Sequence, residues 1–214
     1  MGWVILVLQM ESISSVWVDV TGSFQGVCPH YITVAMSACN NIQEFADRIS
    51  AQELAALNAA VDPVLEVSAV SAEAYCKTME HLVYYSHACE RNMVVAGMET
   101  VERIVLAMSS HLHTQIVQEV GAMVLGCFAW DTPQTIAHML ALGCPGVLYA
   151  ASDAYIASGG VQGNVCYALT HIARCSPVGK AALCSSRGAE MALRAKAADC
   201  HYNGDILLNV LSDA

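Results

Sequence analysis

The sequence predicts an all-α fold, a right-handed α-solenoid of about four to five stacked repeats. Three observations carry that prediction. The first is self-similarity: IVQEVGAMVLGCFA, residues Ile116–Ala129, returns 44 positions later as GVQGNVCYALTHIA, Gly160–Ala173. Val117-Gln118 lies over Val161-Gln162, Leu125 over Leu169 and Ala129 over Ala173, while Leu106, Met108 and His111 map to Ala150, Ser152 and Tyr155. A period of about 40–47 residues belongs to helical repeats that stack, each unit touching only its neighbours. The second is spacing. Val117, Val120, Val124, Leu125 and Phe128 recur every three or four residues, as one buried helix face requires. The third is composition: 56% hydrophobic, 13% charged and rich in Ala. Helices enclosed on several sides have that profile, and Ala lets them approach closely without loss of helix propensity.

The elements follow in order. The apolar run Trp3–Leu8 has no basic stretch before it and no clear cleavage site after it, so it does not read as a signal peptide. No window supplies the roughly 20 apolar residues of a spanning helix. VILVLQMESI resembles RIVLAMSSHL, with Met10 over Met108, so the chain reads as beginning inside a repeat. Val16–Val20 alternates apolar and polar residues but is read as loop or helix. Ile32–Ala46 is expected to be a long helix, followed by a medium helix in AALNAAVDPVLEVSAV. Cys76–Ala88 is the next long helix, with Leu82 in the place of Leu125, and Gly97–His111 the next medium one. Gly188–Cys200 closes the last full unit, and Asn203 or Asp205 caps a final helix, ILLNVLSDA.

Each unit is thus expected to hold a long, a short connecting and a medium helix. Gly97, Gly143 and Gly188 are read as sharp turns before the medium helices, and Pro63 and Pro145 as first-turn prolines. The organisation expected is one repeat domain over 1–214: a partial repeat 1–29, repeats near 30–73, 74–114, 115–158 and 159–203, and a partial repeat 204–214. Both ends are apolar where solenoids carry polar caps, which suggests flanking repeats of a longer chain or covering partners.

VQEVGAMVLGCFA and VQGNVCYALTHIA resemble the long helix of armadillo repeats, the importin-α/β-catenin-like three-helix units, over roughly Ile32–Cys200. The looser units near 32–46 and 75–86 keep HEAT-type repeats close as an alternative. The resemblance implies that the long helices line a concave groove. The family's peptide-reading Asn positions fall on Glu44, Tyr84, Cys127 and His171, and its Trp positions on Asn40, Glu80, Met123 and Tyr167. None of them keeps the family residue. The implied surface therefore has different chemistry, acidic at Glu44 and Glu80 and aromatic at Tyr84, Trp130 and Tyr167. Tyr and Trp are favoured interface anchors.

Nine basic residues face nineteen acidic ones, for a net charge of −10. That balance argues against nucleic-acid binding, which needs basic patches, and favours a basic peptide or a folded protein as partner. No membrane partner and no cofactor are expected. Ten cysteines occur without a CxxC pair and read as reduced, buried small hydrophobes of a cytoplasmic or nuclear protein. His111 and His113 sit two apart, which does not share a helix face, so a polar turn is expected. His171 and Cys175 are four apart, with Cys184, Cys200 and His201 downstream, but lack the paired knuckle of structural zinc sites. GGVQG and SPVGK lack phosphate-loop spacing and read as inter-helix turns, and no GxSxG, HExxH or EF-hand loop is present. The function expected is a non-catalytic scaffold or adaptor presenting a concave helical surface to a protein. The alternatives are an architectural subunit of a larger assembly and a zinc-binding or enzymatic helical protein.

Overall fold

The computed structural model describes residues 51–85, 89–130 and 133–213. Every regular element among them is a helix. In order these are α1 (Ala51–Leu65), α2 (Ala69–Tyr85), α3 (Cys89–Ser110), α4 (Gln115–Ala129), α5 (Pro133–Ala141), α6 (Cys144–Ala154), α7 (Gly159–Cys175), α8 (Pro177–Cys184), α9 (Gly188–Ala197) and α10 (His201–Ser212). The chain divides into two compact units after Arg103, within α3. The readings made for Trp3–Leu8, Val16–Val20 and Ile32–Ala46 lie outside the described residues.

In the first unit α1 buries Leu54, Asn58, Val61 and Leu65, and α2 buries Ala72, Tyr75, Cys76, Met79 and Leu82. These are the three-and-four spacings that make one face of each helix apolar. The polar exception is Asn58. Its Oδ1 accepts from Tyr75 Oη at 2.7 Å, its Nδ2 donates to Thr100 Oγ1 at 3.1 Å, and its carbonyl accepts from Arg103 Nε at 2.8 Å. A buried amide is tolerable when both its ends are bonded, as here. Pro63 lies in the last turn of α1 rather than the first turn expected, where a missing N–H forfeits one helical bond. Gly97 is not a turn. The helix runs through it from Cys89 to Ser110, and buried Thr100 and Val101 follow in the same helix.

In the second unit α4 packs along α7, and α7 is also flanked by α6, α8, α9 and α10. Their buried sets correspond: Val117, Val124, Leu125 and Ala129 in α4, and Val161, Ala168, Leu169 and Ala173 in α7. Each fully buried Leu or Val contributes roughly 1.5–3 kcal/mol. A buried glutamine in each helix clamps the preceding turn. Gln118 Nε2 donates to the carbonyls of Met108 (2.9 Å) and His111 (3.0 Å). Gln162 Nε2 donates to those of Ser152 (2.8 Å) and Tyr155 (2.9 Å). Donor and both acceptors are displaced by the same 44 positions. Medium helices are joined by a second recurring contact. Arg103 pairs with Asp62 in the first unit and Arg194 with Asp153 in the second, each across 41 residues.

The punctuation is met in part. Gly143 sits at φ +71°, the left-handed conformation glycine adopts readily, and Pro145 lies in the first turn of α6. Gly188 opens α9 with no left-handed backbone; its role is close packing, since a Cβ there would stand 3.0 Å from Leu211 Cδ1. GGVQG and SPVGK are helix starts rather than turns. Ser158 Oγ accepts from Val161 N at the head of α7, and Ser176 Oγ from Gly179 N at the head of α8. The final helix begins at His201, ahead of both expected caps, and Asn203 instead donates to the Gly163 carbonyl at 2.9 Å.

Candidate partner-binding surface

Four of the residues singled out in the sequence come together where the C-terminal end of α4 meets the second half of α7. Trp130 ends α4 in an extended conformation, φ −69° and ψ 117°, its N–H bonded to the Cys127 carbonyl. The chain leaves the helix there, and Trp130 is 60% exposed. Its ring stacks on the His171 imidazole, with centroids 4.6 Å apart and planes inclined by 25°. His171, only 7% exposed, meets the Tyr167 ring edge-on at 4.6 Å. Tyr167 in turn places its hydroxyl 3.8 Å from Cys127 Sγ. Both arrangements are favoured geometries for aromatic pairs, worth roughly 0.5–1.5 kcal/mol beyond area burial.

Gly126 makes this assembly possible. A Cβ at that position would fall on the Tyr167 ring, so only glycine lets α7 bring the tyrosine against α4. Met123, one turn earlier on the Cys127 face, is half-buried. Glu80 is half-buried on α2 of the first unit, and Tyr84 lies in the same helix with its side chain outside the described set. Asn40 and Glu44 lie outside the described residues.

The cluster is electrically quiet. Burial, aided by the charge of Arg174, pushes the His171 pKa below its ordinary value, so the imidazole is neutral near pH 7. Burial also raises the Tyr167 phenol, with a further contribution from Cys127, so it stays protonated. The surface therefore offers an exposed indole, an imidazole behind it and a hydroxyl, with Arg174 exposed one turn beyond His171.

The other candidates separate. His111 and His113 fall in the turn between α3 and α4, where the His111 carbonyl serves Gln118. Among the described residues no three His, Cys, Asp or Glu side chains gather in a group able to hold a metal ion. The Cys200 thiol instead donates to the Gly159 carbonyl at 2.9 Å. The seven cysteines whose side chains are described are free, and burial pushes Cys76, Cys144 and Cys166 up to about 12. No single described helix is long and apolar enough to cross a membrane; α5 and α6 pass that test only as a pair bent by 70°, and both send residues into the core. Sequence reasoning missed Gly126 and Arg174. The signal for Arg174 was its place 44 positions after Trp130.

No family model, no curated protein and no solved structure matches the chain.

Proposed function

We propose that the chain is an armadillo-like helical repeat protein, a non-catalytic scaffold or adaptor of the cytoplasm that binds a protein partner through its long-helix face. The paired glutamine clamps and the recurring Asp–Arg contacts support the repeat reading, because they repeat a hydrogen-bond pattern and not only a hydrophobic one. The observation that carries the binding reading is Trp130. A large ring held in place by His171, in a residue still 60% exposed, is rigid apolar area, which binds at little entropic cost.

The test is affinity capture with the whole chain followed by mass spectrometry, comparing wild type with Trp130→Ala and Tyr167→Ala. Leu193→Ala, an exposed apolar position on α9, serves as control. A stoichiometric partner lost in the first two variants and kept in the control is expected. An unchanged partner set in Trp130→Ala would remove the assignment of this surface.

A further inference from the structure

On its α7 side the Trp130 surface carries, in Arg174, a charge of the opposite sign to the chain. The whole protein is acidic, with nine basic residues against nineteen acidic ones. Among the described residues of the second unit, nearly every basic side chain is engaged. Arg187 and Arg194 hold Asp153 and Glu190, Lys196 holds Asp205, and Lys180 donates to the Asp213 carbonyl. Arg174 is the exception: it is exposed, and no hydrogen bond or ion pair joins it to another described residue. It stands one helical turn after His171, on the face that carries the imidazole and, stacked on it, the indole. Its charge reaches His171.

Resting on the reading of this surface as a protein-binding site, we infer that its partner presents an acidic apolar segment. In this arrangement an aliphatic or aromatic side chain packs on Trp130 and a neighbouring Asp or Glu carboxylate pairs with Arg174. A guanidinium offers a planar fork of donors that a carboxylate can meet with two bonds. A basic segment, which the net charge alone would favour, would set its own cations against Arg174. A folding role is the competing account of Arg174, since a cation in the last turn of a helix is stabilised by the helix dipole.

The experiment uses the full chain and two fluorescein-labelled peptides, Asp-Leu-Glu-Phe-Asp and Lys-Leu-Lys-Phe-Lys, read by fluorescence anisotropy. The acidic peptide is expected to bind more tightly, with affinity falling as salt is raised. Arg174→Ala should weaken it by about twofold to fivefold, the effect of one exposed charge pair. Arg174→Glu should invert the preference between the peptides. Tighter binding of the lysine peptide by wild type, or a preference unmoved by Arg174→Glu, overturns the inference. Trp130→Ala separates the two levels. If it abolishes peptide binding while Arg174→Glu changes nothing, the surface stands and only the acidic partner falls. If neither substitution affects binding, both fall. A loss of thermal stability in Arg174→Ala with unchanged peptide affinity assigns the residue to the helix dipole and also overturns the proposal.

Discussion

Met108 and Gly121 should behave as one exchangeable unit with Ser152 and Val165. The four residues stand at corresponding places 44 positions apart, one large and one small in each pair. Met108 is fully buried, and a Cβ on Gly121 would stand 2.8 Å from its Cγ and Sδ, so the glycine is small because the methionine is large. Gly121→Val alone should destabilise by about 1–3 kcal/mol through overpacking, less a few tenths recovered from helix propensity. Met108→Ser alone removes a buried side chain, a loss of about 2–5 kcal/mol. About 1 kcal/mol returns if the new hydroxyl donates to Gln118 Oε1, a buried atom with no hydrogen-bond partner. At the corresponding place Ser152 Oγ donates to Gln162 Oε1 at 2.7 Å. The double variant Met108→Ser with Gly121→Val recreates that arrangement and nearly conserves volume. It should be more stable than the sum of the singles by about 1–3 kcal/mol. Urea denaturation of the four proteins, followed by circular dichroism, measures that coupling. Additivity of the two single changes within about 0.5 kcal/mol would show that the residues do not share space.

Further outcomes follow from the same contacts. His171 has its pKa depressed below 6.5, so the unfolded chain takes up this proton at higher pH than the folded one. Stability from this site is therefore full above the unfolded value and falls as pH drops through 6.5 toward the folded pKa; His171→Gln should flatten that slope in denaturation curves, and an equal slope would contradict it. Gly126→Ala should push the Tyr167 ring off His171, costing about 1–3 kcal/mol against a helix-propensity gain of about 0.5–1, and should change near-ultraviolet dichroism. A stabilised variant with an unchanged spectrum would refute the close approach. Iodoacetamide at pH 8 should label exposed Cys184 in the native protein and spare Cys76, Cys144 and Cys166, whose burial suppresses the thiolate; peptide mapping that finds these three labelled first would contradict their burial.

What the sequence made legible was whatever repeats or alternates along a helix. Val117-Gln118 and Val161-Gln162 were aligned as letters, and their side chains do the same work in the same two places. Cys127, Tyr167 and His171 follow from the register of the family resemblance; the stacking of Trp130 on His171 does not. Features decided by tertiary packing were not legible. Gly97 looked like a break, yet a mid-helix glycine loses only about 1 kcal/mol against alanine. The stripe of Thr100, Val101, Ile104, Ala107 and Met108 buries far more than that. Asn203 looked like a cap, because its short amide suits one, but the amide is engaged by the Gly163 carbonyl on a neighbouring helix. Gly126 gave no signal at all, since its reason for being glycine is a ring 41 residues later.

The two glutamine clamps are alike in donors and unlike in acceptors, and the difference is itself testable. Gln162 is held at both ends, its Nε2 by two carbonyls and its Oε1 by Ser152. Gln118 is held at Nε2 alone, because the corresponding residue is Met108 and a thioether cannot donate. Gln118→Leu therefore loses two bonds but relieves a buried acceptor that water no longer serves. Gln162→Leu loses three bonds and leaves a buried serine hydroxyl without its acceptor. The second substitution should cost about 1–3 kcal/mol more than the first, the penalty for stranding a buried polar group. In a Met108→Ser background the ranking should narrow, since Gln118 then gains the partner that Gln162 already has. Equal losses for the two leucine variants in the wild-type background would mean that Oε1 of Gln118 is satisfied by solvent, and the size exchange between Met108 and Gly121 would then have to be explained by packing alone.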